Sequence, residues 1–146
     1  SIYRGECTGS RVALMTAKSS DTSLYFAKIN GEQVWKLVEN YLDHKEDEFS
    51  ITNKYELPIL SGMKITVQKE ENGFLLKDIA VDQEKIDKEK EYSILLTDDT
   101  RSILEKTTPG CRIKRLPDMT LSSAWTAFME KGQQPLAPED YIEVEK

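Results

Sequence analysis

Histidine is almost missing from this chain: His44 is the only one in 146 residues. A metal centre built on imidazoles is therefore excluded, and a Ser-His-Asp arrangement would have to run through His44. That residue lies in an acidic stretch without a supporting Ser or Cys pattern and reads as a surface side chain rather than a general base. Cysteine is scarce as well. Cys7 and Cys111 allow one disulfide or two free thiols, too few for a disulfide framework or a zinc cage. They read best as small buried side chains. No apolar run reaches the ~18 residues that would cross a bilayer, and the first ten residues lack the apolar core of a secretory signal. Positive charge is in deficit, with 20 Lys and Arg against 26 Asp and Glu. That balance argues against a nucleic acid polymer or an anionic membrane surface as partner.

What is present suits one domain of α+β class, residues 1–146. Hydrophobic residues make up 38% and charged residues 32%, so the core is modest and the surface dense with charge. Ser23 to Ile29 is rich in aromatic and β-branched residues and reads as a strand. Val34, Leu37, Val38, Tyr41 and Leu42 then form one helical stripe, with Asn30 as N-cap and Glu32 and Gln33 in the first turn. Leu57 to Val67 reads as strand, bend and strand, with Gly62 marking a bulge or a close backbone approach. Asn72-Gly73 signals a turn into a return strand, Phe74 to Val81. The charge run Asp82 to Glu91 contains one apolar residue, Ile86, and reads as an exposed loop.

Tyr92 to Leu96 is a short apolar run of buried-strand type, broken by Asp98-Asp99-Thr100. Cys111 to Leu116 alternates like an edge strand. Its group Arg112, Lys114 and Arg115 is the densest positive patch, and it reads as a charged edge that blocks pairing, with anion binding as the alternative. Thr120 caps a second main helix whose apolar face is Leu121, Ala124, Trp125, Phe128 and Met129, closed by Gly132. Tyr141 to Val144 is a last strand. Two main helices packed on a mixed sheet result. Trp35 and Trp125 read as core or rim packing.

Three segments in this order resemble the C-terminal, substrate-binding domain of bacterial 5′-nucleotidases. The stretch from Gly5 to Leu42 is similar to that family's Gly-x-Ile-Thr, short helix, loop, strand and x-Gly-x-x-Leu helix opening. Leu57 to Val67 is similar to its Ser-Gly segment, and Glu89 to Asp99 to its Tyr-containing strand. Leu121 to Lys131 and the residues from Pro135 onward are similar to its closing helix and strand. The resemblance implies an extracellular, cell-surface or periplasmic location. It also implies an upstream metallophosphoesterase domain as partner, and a nucleotide or nucleoside as ligand. The first part of the family's domain is expected upstream of Ser1. Divalent metals are expected only in that parent catalytic domain. This chain is expected to hold no cofactor, no metal and no catalytic residue.

The departures fall on the binding positions. The family holds the base between two aromatic rings, which suits a ligand that always offers a π-face. Ser19 stands where the first ring belongs, in the loop that includes Asp21. Asp98-Asp99-Thr100 and then Arg101-Ser102-Ile103-Leu104 replace the second ring and a Gly-Gly-Asp-Gly turn. Arg4 is the nearest match to the family's phosphate-binding Arg. The substrate-binding positions carried over are thus Arg4, Ser19, Asp21, Asp98 and Asp99. Read from the residues alone, the Asp98-Asp99 pair is a turn that caps a helix, with a Mg²⁺ or Ca²⁺ ligand pair or a sugar acceptor as the alternative. The function expected is a non-catalytic substrate-specificity domain of an extracellular 5′-nucleotidase-like hydrolase with a divergent nucleotide pocket. The alternative is a cell-surface module that contacts protein or glycan without nucleotide binding. A third reading is an enzyme centred on Asp98-Asp99.

Overall fold

A computed structural model describes residues 10–16, 23–43, 58–116 and 142–145. The fold is α+β, with its strands divided between two mixed sheets. In chain order the elements are β1 (Ser10–Thr16), β2 (Leu24–Asn30), α1 (Gly31–Asp43), β3 (Pro58–Ser61), β4 (Met63–Glu70), β5 (Gly73–Val81), β6 (Glu84–Lys85), β7 (Glu91–Thr97), α2 (Asp98–Thr107), β8 (Ile113–Leu116) and β9 (Ile142–Glu145). The first sheet has the order β3-β1-β7-β2-β8, and the second β6-β5-β4-β9.

β7 is the middle strand of the first sheet, parallel to β1 and antiparallel to β2. Every residue from Tyr92 to Thr97 is buried. A strand covered on both faces shows this unbroken apolar run rather than alternation. Tyr92, Ile94 and Leu96 face the main core with Val12, Leu14, Ala27 and Ile29. Ala13, Met15, Leu24, Phe26, Leu95 and Leu116 are buried outside that cluster.

The stripe expected on α1 is the face it buries: Val34, Leu37, Val38, Tyr41 and Leu42. Its start is held reciprocally. Gln33 N–H donates to Asn30 Oδ1 at 2.9 Å, and Asn30 N–H donates to Gln33 Oε1 at 2.8 Å. These bonds satisfy donors that a helix start otherwise leaves orphaned. α1 contacts β5, β2, β7 and α2, so one core serves both sheets. Trp35 is half-buried against that core, as expected.

The Gly62 expectation holds in a specific form. Its φ is +74°, and a Cβ there would collide with the carbonyl oxygen of Arg11. The bend separates β3, which pairs with β1 in the first sheet, from β4, which pairs with β5 in the second. β4 and β5 form the expected hairpin. The charge run after β5 stays exposed except for Ile86, which is buried. The helix expected over Leu121 to Lys131, with Trp125, lies outside the described residues, as do His44 and Cys7.

Candidate functional site

α2 bears out the reading of Asp98-Asp99 as a turn at a helix start, but the helix itself, Asp98–Thr107, was not among the two main helices expected. The residues read as a breaker are its first turn. Asp98 and Asp99 are exposed there, where carboxylates complement the positive end of the helix dipole. The N-cap is Thr97. Thr97 N–H donates to Thr100 Oγ1 at 3.1 Å, and the Thr100 hydroxyl donates to the Leu14 carbonyl at 2.7 Å. Thr100 is fully buried, so its hydroxyl fastens the start of α2 to β1. Leu104, one turn further on, enters the core.

A polar cluster stands beside this helix start. The Tyr25 hydroxyl on β2 donates to Asp98 Oδ1 at 2.7 Å. The Arg101 guanidinium lies over the Tyr25 ring, 4.9 Å from its centroid, and pairs with Glu105 at 2.7 Å. The Glu105 hydrogen bond is the largest cause that holds the guanidinium charged; partial burial opposes it, and the charges of Glu105, Tyr25 and Asp98 reinforce it. The cluster thus contains both signs of charge and pairs them internally.

Of the five expected binding positions, Asp98 and Asp99 lie side by side in this turn. Arg4, Ser19 and Asp21 lie outside the described residues. No group of three or more His, Cys, Asp or Glu among the described residues is arranged to hold a metal ion. Sequence reasoning missed Tyr25 and Arg101 as neighbours of Asp98. The i, i+4 spacing of Arg101 and Glu105, behind a Thr followed by two acids, was the available signal for a helix here.

Two concave regions lie elsewhere on the described surface. One, of about 280 Å³, is acidic, lined by Asp43, Glu70, Glu71 and Asn72 with Leu42 and Phe74. The other, of about 550 Å³, lies over β2 and β8 and is lined by Phe26, Ala27, Lys28, Arg112, Ile113 and Lys114. β8 is an edge strand, as expected. Cys111, just before it, is a half-buried free thiol, and burial pushes its pKa up. No helix among the described residues is long and apolar enough to cross a membrane.

The sequence matches no family model and no curated protein. Solved structures do match. A 5′-nucleotidase precursor from Thermus thermophilus superposes with a TM-score of 0.59 at 12% identity, covering 99% of this chain and 33% of that one. The fold is that of a 5′-nucleotidase domain. A chain described as a 5′-nucleotidase from Staphylococcus aureus, solved with alpha-ketoglutarate, gives a TM-score of 0.58 at 12% identity and covers 92% of this chain and 33% of that one. The chain therefore spans about a third of the length of these 5′-nucleotidase structures. At such identity the 5′-nucleotidase likeness concerns the backbone, and the side chains at the end of β7 must be judged on their own chemistry.

Proposed function

We propose that this chain is a non-catalytic substrate-specificity domain of an extracellular 5′-nucleotidase-like hydrolase. The observation that supports this most is the fold match, which takes in 99% of this chain but 33% of its larger neighbour. In this reading a catalytic domain elsewhere in the parent protein carries the divalent metals and cleaves the phosphate ester. This domain grips the nucleoside part near the end of β7. The grip would be a divergent one. The Asp98 and Asp99 carboxylates can accept hydrogen bonds from ribose hydroxyls, as carboxylates do when ionised. Tyr25 and Arg101 offer a flat stacked pair beside them. Arg4, Ser19 and Asp21 are proposed to complete the pocket from the segments before β1 and β2.

Calorimetric titration of adenosine and AMP against the chain tests the proposal. Saturable binding that weakens in an Asp98→Asn, Asp99→Asn variant is the expected result. No heat at millimolar ligand would sink it.

A second reading has its own support. Asp98 is already engaged by Tyr25, and Arg101 by Glu105, so both side chains have partners without a ligand. This is what a scaffold reused for protein or glycan contact would show. Reproducible recovery of one cell-surface partner, together with no nucleotide binding, would favour that module over the nucleotidase role.

A further inference from the structure

The positive patch read from the sequence as Arg112, Lys114 and Arg115 is divided by the strand that carries it. Antiparallel register places Arg115 opposite Tyr25 and Lys114 opposite Phe26. Side chains of successive strand residues point to opposite faces. Arg115 therefore shares a face with Tyr25, and its guanidinium reaches Ser23 Oγ at 3.4 Å. Lys114 shares the other face with Phe26. Lys28, two residues after Phe26, and Arg112, just before β8, line the same groove. The groove of about 550 Å³ is lined by these three cations together with Phe26, Ala27 and Ile113.

This arrangement is costly in isolation. Like charges gathered along one groove repel one another. The chain as a whole is acidic, with a net charge of −6, yet none of the described lining residues carries a negative charge. Residues two apart on a strand, such as Arg112 and Lys114, are separated by about 6.6 Å. Their flexible heads and that of Lys28 can converge on one small anion. A phosphate group accepts from several donors at once, and a guanidinium meets it with two parallel bonds. The lining also contains apolar carbon from Phe26, and the volume falls in the range of small-molecule sites. There is room for more than the anion alone.

We propose that this groove binds a phosphate group, free or as a phosphomonoester whose organic body rests on Phe26. The site is separate from the one at the end of β7, because its residues occupy the face of β2 opposite Tyr25. Lys28 and Arg112 hold the anion, and Lys114 adds positive potential at its side. The site binds and does no chemistry.

The test is amide chemical-shift mapping of the 146-residue chain, at fixed ionic strength, with inorganic phosphate, AMP and adenosine in separate titrations. Saturable shifts at Phe26, Lys28, Arg112 and Lys114 with phosphate are expected if the free anion suffices. The same shifts with AMP alone indicate the ester. Adenosine should move none of them. A Lys28→Gln, Arg112→Gln variant should bind inorganic phosphate at least about tenfold more weakly, while an Asp98→Asn, Asp99→Asn variant should show the same groove shifts with inorganic phosphate as the unaltered chain. The second variant separates this site from the proposed nucleoside grip. Shifts confined to other residues, no saturation at millimolar phosphate or AMP, or full affinity in the Lys28 and Arg112 variant would overturn the proposal. Should that variant fail to fold, the map on the unaltered chain still decides.

Discussion

Two strands of the molecule spend their apolar residues differently. β7 buries six residues in a row, Tyr92 to Thr97. β5 buries Phe74 and Leu76, then Ile79 and Val81, with Lys77 exposed between them and Leu75 41% exposed. The first pattern belongs to a sheet covered on both faces, the second to a sheet with one face turned to solvent. The break in β5 is a β-bulge: Thr66 pairs with Asp78 but Val67 pairs with Leu76. The extra residue restores the inward face after the parity of the apolar residues changes. Without it Phe74 and Leu76 would point outward, because a one-residue slip reverses every side chain. The two-sided sheet also carries, at the end of its middle strand, the polar cluster around Asp98. Strand ends of a rigid platform can hold polar groups in fixed positions, and α1 and α2 pack on that platform, α1 also contacting β5 of the one-sided sheet.

Substitutions can break that comparison. The largest effect is expected at Leu95, which is fully buried in β7. Leu95→Ala should cost about 2–5 kcal/mol in urea unfolding. Thr100→Val should cost about 1–3 kcal/mol, because it removes the buried bonds to the Leu14 carbonyl and the Thr97 N–H. Thr100→Ser, which keeps the hydroxyl, should recover most of that loss. Tyr25→Phe removes the bond to Asp98 and should cost about 0.5–1.5 kcal/mol. Leu75→Ala should change stability by less than about 0.5 kcal/mol, as surface substitutions do. Equal losses at Leu75 and Leu95 would show that the outer face of the second sheet is covered too, and the contrast would fail. Cys111 sharpens the picture locally. Its raised pKa means less thiolate at neutral pH, so alkylation followed by mass spectrometry should be slower than for a free thiol in solution.

The parts legible in the sequence were those decided within one element. The five-residue stripe of α1 and the unbroken run of β7 follow from period and composition alone. Gly62 announced a close approach, though only the structure names Arg11 as the atom's owner. α2 was harder because its residues, Asp98 to Thr107, include two large apolar side chains, Ile103 and Leu104. Its stability comes from tertiary attachment through Thr100 and Leu104 rather than from an amphipathic stripe. The division into two sheets was hidden for a similar reason. β3 and β4 are neighbours in sequence, and the turn at Gly62 sends them to different partners. Their destinations depend on β1 and β5, not on their own residues. The binding groove needed the pairing of β2 with β8, which brings Lys28 beside residues far away in the chain.

The last strand, β9, pairs in parallel with β4, Ile142 opposite Ile65 through Glu145 opposite Gln68. These four residues therefore act as a seal along β4. Removing them would strip one side of β4 of its backbone partners and leave Ile65 and Val67 along a bare edge. Such an edge is a template for a foreign strand. The integrity of the second sheet, and the protection of this edge from aggregation, thus depend on one short strand.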